Sequence, residues 1–390
     1  MRRVILTISA LAIVSAASAQ TPLTDYLKLV EENNPTLQAA SEAANAEGYA
    51  AIASNNLSDP QVGFEYGWNV PSESGSETGI SVSQEFDFPT AYINRSRVAE
   101  SRTATAWNDY AALRTEILLE AQMAYMEYIT TSQTLALKEE QAEHSERAAE
   151  IFAQMAKSGE VSLPDLSKAR HAAISAREAV VMTSLELADK GTALRTLAGG
   201  ESIVPTDYTP SPVKALGEMT SIYLEESPVL LAAKSRLGLA TAELKVEKSM
   251  ALPKLSVGYT TKQASGGAKV NAISSGISIP IFSSRATVKR AAAEERAASA
   301  ELRAVEVEVV AQLESLYEQL SIIDATLGSL EKMFGDDNYP AMLGRLLKSG
   351  EIGAVEYFSE LGSYYDAQES ILRLQLEYNK ISAEINKISL

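Results

Sequence analysis

The chain has 390 residues, a formal net charge of −17, two histidines and no cysteine. That acidity argues against a nucleic-acid partner, because affinity for a phosphate backbone comes from clustered Lys and Arg. The lack of cysteine excludes disulfides, thiolate metal sites and N-terminal lipid attachment through Cys, so an exported chain of this kind must be stabilised by burial or assembly.

Residues 1–19 read as a secretory signal peptide: Arg2 and Arg3, an apolar run from Val4 to Val14, then Ala17-Ser18-Ala19 before Gln20. The apolar run is too short to span a bilayer. The expected mature chain starts at Gln20, and losing the two arginines takes the charge to −19. No later apolar run is long enough for a membrane helix, so any membrane entry would be by strands.

Residues 23–57 then read as a helix, with Thr24 as its N-cap, and residues 60–88 as a hairpin. Residues 91–155 contain neither proline nor glycine and carry Leu113, Ile117, Ala121, Ala124, Tyr125 and Tyr128 at spacings of three and four. That pattern predicts one helix roughly 100 Å long. KSGEVSLP breaks it, and residues 164–198 form a further helix ending at Gly199-Gly200. Residues 201–217, with three prolines, read as a linker.

The second half repeats the plan. Pro35 and Pro60 are matched by Pro228 and Pro253, both pairs 25 residues apart, and Lys157–Glu160 (KSGE) recurs at Lys348–Glu351. Helices are expected near 219–251, 284–347 and 354–388, the middle one interrupted by GDDNYP (335–340), with a hairpin over 253–282. The domain reading is a signal peptide (1–19), a first repeat (20–200), a linker (201–217) and a second repeat (218–390). Alanine crowds stretches such as ASEAANAEGYAAIA. This suits close helix packing on two sides, and equally a simple helix preference.

In the hairpins, one face holds Val62, Phe64, Tyr66 and Trp68, then Ile80, Val82, Phe86 and Phe88, then Leu255, Val257 and Tyr259, then Ile277, Ile279 and Ile281. The alternate positions are Gly, Ser, Thr, Gln, Glu, Asp, Asn and Pro. Period two with one apolar face predicts half-buried strands. Two destinations fit. One is a soluble sheet packed on helices. The other is a membrane barrel with the apolar face toward lipid, the small polar face toward a water-filled lumen, and Tyr66, Trp68 and Tyr259 in an aromatic girdle near the hairpin tips. Four strands cannot enclose a channel, so the barrel reading requires several chains, and three would supply twelve strands.

In the openings NNPTLQAA and ESPVLLAA, the proline-led hairpins and the paired turns Gly159…Asp165 and Gly350…Glu356, the chain resembles the TolC-type outer-membrane efflux proteins over its whole mature length. Within that family it is most similar to the branch serving small-molecule and metal efflux. The resemblance implies a mainly α fold with a membrane β-barrel part: a duplicated α-β-β-α-α unit, a long helical barrel and a trimeric twelve-stranded barrel. It implies a homotrimer in outer-membrane lipid with a large periplasmic part. A periplasmic adaptor and an inner-membrane pump would be its partners. It further implies that Asp165 and Glu356 lie at a periplasmic aperture; a second family acid falls on Ser359, and the adjacent Glu360 is its candidate replacement. Ser158, Gly159, Ser349 and Gly350 would be the turns that meet the adaptor. The family's gate-locking arginine falls on Ile352, with Lys348 or Arg345 as substitutes.

No enzyme signature accompanies this pattern. His144 and His171 lie on expected helices outside any metal motif and read as solvated, and neither a P-loop nor GxSxG occurs. No cofactor or metal is expected. Passive conduction through an exit duct needs no catalyst. A one-step protein-secretion duct and a soluble periplasmic scaffold are the alternatives.

Overall fold

The computed structural model describes residues 21–68, 76–206, 208–264, 267–280, 284–333 and 339–390. The signal-peptide expectation, Ile281, part of both hairpin turns and most of GDDNYP lie outside the described residues. The elements, in order, are α1 (Leu23–Asn33), α2 (Pro35–Ala53), β1 (Gln61–Trp68), β2 (Ser76–Phe86), α3 (Pro89–Ser158) and α4 (Leu163–Leu197). There follow α5 (Leu216–Glu226), α6 (Pro228–Met250), β3 (Lys254–Ala264), β4 (Lys269–Ser278), α7 (Ser284–Met333), α8 (Tyr339–Ser349) and α9 (Ala354–Asn386). A 3-10 turn, Lys387–Ser389, ends the chain.

The single helices expected over 23–57 and 219–251 are each two. The residue before each proline, Asn34 (ψ 119°) and Ser227 (ψ 123°), leaves the helical region. The Pro Cδ clashes with a helical predecessor, while Pro35 and Pro228 themselves suit the first turn of the next helix. Nor does Thr24 cap the first helix. Pro22 occupies the N-cap, with no side-chain hydrogen bond.

The chain divides into two compact units. The first comprises the described parts of Met1–Asn34, Leu118–Pro212 and Gln319–Glu384, and the second those of Pro35–Ile117, Val213–Glu318 and Ile385–Leu390. In the first unit Tyr26 stacks on Tyr125, with ring centroids 5.6 Å apart, and donates to the Leu194 carbonyl. Glu127 on α3 binds Lys190 of α4 at 2.8 Å and Lys380 of α9 at 2.6 Å. Burial raises the Glu127 carboxyl, but the hydrogen bonds and charges of the two lysines outweigh it and hold the group below the usual carboxylate range. In the second unit Ala44, Ala51, Ala91, Ala232, Ala233, Ala242 and Ala291 are buried. Much of the alanine therefore serves close packing.

The second unit also holds the sheet, antiparallel in the order β1-β2-β3-β4. The strand ends differ from the sequence expectation, in which residues 69–79 and 263–271 are polar turns: β2 already begins at Ser76. β4 starts at Lys269 inside the expected turn and stops at Ser278, so Ile279 lies beyond it, and β2 stops at Phe86 before Phe88. Because β3 runs on to Ala264, Tyr259 sits at mid-strand opposite Val82 and Ile273, away from the hairpin end.

Candidate functional site

Two places gather the residues that the sequence singled out. The first is the sheet. Its register aligns Val62, Val82 and Tyr259 in one row and Phe64 with Ile80 in the next, and it sets Leu255 opposite Ile277. Val62, Phe64, Tyr66, Trp68, Ile80, Val82, Leu255, Val257, Tyr259 and Ile277 thus share one face, and all are exposed. Ile273, at 83 % exposure, belongs to it as well. The sequence reading missed it because its strand was begun too late.

The opposite face is mostly polar, and on β3 it is the less exposed one. Ser256, Gly258, Thr260 and Lys262 of β3 are half-buried, whereas their neighbours Leu255, Val257 and Tyr259 are exposed. An added Cβ at Gly63, Gly258 or Gly276 would stand 2.7 Å from the hydroxyl of Ser81, Ser274 or Ser256 respectively. Serine hydroxyls thus lean over the glycines paired with them, and this face is lined by small polar side chains while the large apolar ones stand on the other. A soluble sheet packed on helices covers its apolar face instead. β1 and β4 form the two edges.

The second place, in the first unit, is a pair of helix turns. α3 and α8 end in the same way. Gly159 and Gly350 take φ of +82° and +76°, a region that costs an L side chain energy. The Glu160 amide donates to the Met155 carbonyl at 2.9 Å, and the Glu351 amide to that of Leu346 at 3.0 Å. This six-to-one bond is the Schellman closure of a helix C-terminus. Ser158 and Ser349 donate their hydroxyls to the carbonyls three residues back. Beneath both turns, Phe152, Leu166, Leu343, Leu347, Tyr357, Leu361 and Tyr365 form one buried cluster. Val161 and Ile352, equivalent positions after the two glycines, pack against it. At the position of the family's arginine, this chain therefore has an apolar packing residue.

The acids differ in their surroundings. Asp165 is local to its helix: the Ser162 hydroxyl accepts from its amide and donates to its carboxylate at 2.5 Å, and Lys168 lies 3.8 Å away. Glu356 and Glu360 are exposed on α9. Glu360 accepts from the Tyr339 hydroxyl at 2.7 Å, which together with burial raises the Tyr339 phenol above its ordinary range. His171 is exposed, but His144 is not the solvated residue expected. It is half-buried, 6.5 Å from the Tyr365 ring and 3.7 Å from Glu140. Periodicity places a residue on a helix but not the neighbour that covers it. Among the described residues no group of three or more His, Cys, Asp or Glu is placed to hold a metal ion, and no helix is long and apolar enough to cross a membrane.

Three solved structures show where this arrangement recurs. A membrane protein from Pseudomonas aeruginosa matches with a TM-score of 0.79 at 17 % identity, over 94 % of this chain and 93 % of its own. The outer membrane protein VceC of Vibrio cholerae matches at 0.76 and 15 % identity, over 94 % and 95 %. The outer membrane channel CmeC of Campylobacter jejuni matches at 0.75 and 16 % identity, over 94 % and 85 %. A sequence comparison with curated proteins finds no match. The outer membrane efflux protein family matches residues 26–200 and 220–388, and the chain, mainly helical with one four-stranded sheet, belongs to that family.

Proposed function

We propose that three copies of this chain form the outer-membrane exit duct of a tripartite efflux system, a passive conduit for solutes delivered by an inner-membrane pump through a periplasmic adaptor. The observation that carries the reading is the inverted sheet: its large apolar side chains are open, with Val62 74 % and Phe64 72 % exposed, while its other face is lined by small polar residues. Water does not favour that arrangement, whereas lipid outside and water inside do. Two open edges are not tolerated in hydrocarbon, so β1 and β4 must be paired by other copies, and three copies close twelve strands around an aqueous lumen.

On this reading the mature chain runs from Gln20 as two repeats, 20–200 and 218–390, joined by 201–217. The turns at Ser158-Gly159 and Ser349-Gly350 form the periplasmic end that meets the adaptor. Glu356 and Glu360, one helical turn apart, repeat around the threefold axis as carboxylate rings that favour cations. Asp165 stands in the first turn of α4, bonded to the Ser162 cap. Ile352 packs where the family's arginine would lock the gate, so any lock in this chain uses other groups. The soluble-scaffold alternative leaves the apolar face without a cover.

Membrane fractionation and sizing in detergent test the reading. Recovery with the outer membrane as a trimer is the expected result, and Glu356→Gln then lowers cation selectivity in a planar bilayer. Release with soluble periplasmic proteins as a monomer overturns it.

A further inference from the structure

Among the described residues, charge on the polar face of the sheet is confined to its two ends. Row by row, Gly63, Ser81, Thr260 and Ala272 align, then Gln61, Ser83, Gly258 and Ser274. These rows hold no ionisable group. At the base, Lys254 Nζ lies 2.9 Å from Glu85 and 3.5 Å from Asp87, and Arg95 binds Asp87 at 2.5 Å. Two acids there meet two bases.

The hairpin end is built differently. Lys262 Nζ binds Glu65 Oε2 at 2.8 Å. The two residues stand on β3 and β1, with Gly79 of β2 between them in the same row. Strands lie about 4.8 Å apart, so the pair reaches across two spacings. It can do so because the middle residue has no side chain: a Cβ on Gly79 would lie 3.3 Å from Lys262 Cγ and 3.5 Å from Glu65 Cβ. Gly79 is buried beneath the pair. Glu77, exposed on the same face of β2 and opposite Gly67, acts electrostatically on the same lysine. Lys269 belongs to the apolar face, opposite Gln263. Among the described residues, the hairpin end of the polar face therefore holds two acids and one base.

We propose that Lys262 sets the ionic preference of the barrel's hairpin-end mouth. It neutralises Glu65 across Gly79 and leaves Glu77 as the uncompensated carboxylate among the described residues of that end, so the mouth favours cations mildly. This rests on the duct reading above. A ring of carboxylates in a water-filled pore attracts cations and repels anions, and removing the lysines adds the freed Glu65 carboxylates to its fixed negative charge.

Cysteine labelling tests this cleanly, because the native chain has no cysteine. Ser81→Cys faces the lumen one row from Lys262, and Val82→Cys faces lipid. Reaction rates with a cationic and an anionic methanethiosulfonate of similar size are compared on protein inserted in outer membranes. Each variant is checked for a trimer on gels. Ser81→Cys is expected to react faster with the cation. Adding Lys262→Gln raises the cation-to-anion ratio several-fold, and the rise shrinks in high salt. Lys262→Arg preserves the ratio, and Glu77→Gln brings it toward unity. A ratio unmoved by Lys262→Gln overturns the proposal. Should that variant fail to form trimers, a ratio unmoved by Glu77→Gln overturns it instead. Labelling of Val82→Cys as fast as Ser81→Cys has a different meaning: the apolar face meets water, and the duct reading itself fails.

Discussion

The two helix turns of the first unit invite comparison because they end one helix alike and begin the next differently. Both close with a glycine at positive φ, a six-to-one amide bond and a serine hydroxyl on a carbonyl three residues back. After the first turn, Ser162 caps α4, accepting from the Asp165 amide, with Pro164 in the first helical turn. After the second, Gly353 stands at the start of α9 and offers no side chain, so Glu356 takes no part in a capping box with it. A helix N-terminus satisfied by a side chain frays less than one left to water. The first turn is thus closed on both sides. The second is closed on one side, and its acid stays exposed and outside any capping box.

The largest expected effect lies where both outgoing helices are anchored to α3. Glu127→Gln removes the charge shared by Lys190 and Lys380, and should cost about 2 kcal/mol, read by thermal unfolding. The wild-type carboxyl has a depressed folded pKa. Its stabilisation is therefore present above the ordinary carboxylate range and is lost as pH falls through the depressed value, whereas the glutamine variant shows no such loss. Unequal exposure of α4 and α9 to hydrogen exchange in this variant would break the symmetry of the anchor.

Next come the glycines. Gly159→Ala and Gly350→Ala should each cost about 1–2 kcal/mol. A Cβ at either site meets nothing within 4 Å, so the cost is that of the backbone alone. Asn at these sites should be milder, since it tolerates the left-handed region. Thermal midpoints check both, and a larger loss at one turn than the other would show that the turns are not equivalent.

The caps sharpen the contrast. Ser162→Ala should cost about 1 kcal/mol, seen as faster amide exchange at Asp165, while Gly353→Ser should stabilise the second turn by a few tenths of a kcal/mol. Smallest is the loss of the hydroxyls. Ser158→Ala and Ser349→Ala at these exposed sites should each cost about 0.5 kcal/mol, with the larger effect at Ser349, which also binds Glu351 at 2.8 Å.

Most of the fold was legible because local rules wrote it. Period two over Val62–Trp68 marks a strand whatever its partner. The glycines of the two KSGE segments mark helix ends because few other residues enter the left-handed region. The prolines were visible too, but the reading ran helices through Pro35 and Pro228 where the chain breaks. Their clash falls on the preceding residue, and Asn34 and Ser227 carry no strong signal of their own. β4 was begun too late because its hairpin-end residues Lys269 and Asn271 are polar on the apolar face. A pattern of hydropathy fades where a strand leaves its apolar surroundings.

By itself, then, the sequence determined the duplicated order of elements, the apolar stripe of each strand and the two turns. All follow from spacings within a few residues. Only the tertiary structure decided that the apolar face of the sheet is left open and that Lys262 reaches Glu65 over Gly79. It also decided that His144 is covered by Tyr365 and that Ile352 is a packing residue. Each of these depends on register or on contact between residues far apart in the chain, and periodicity along one strand or helix carries no information about its neighbour.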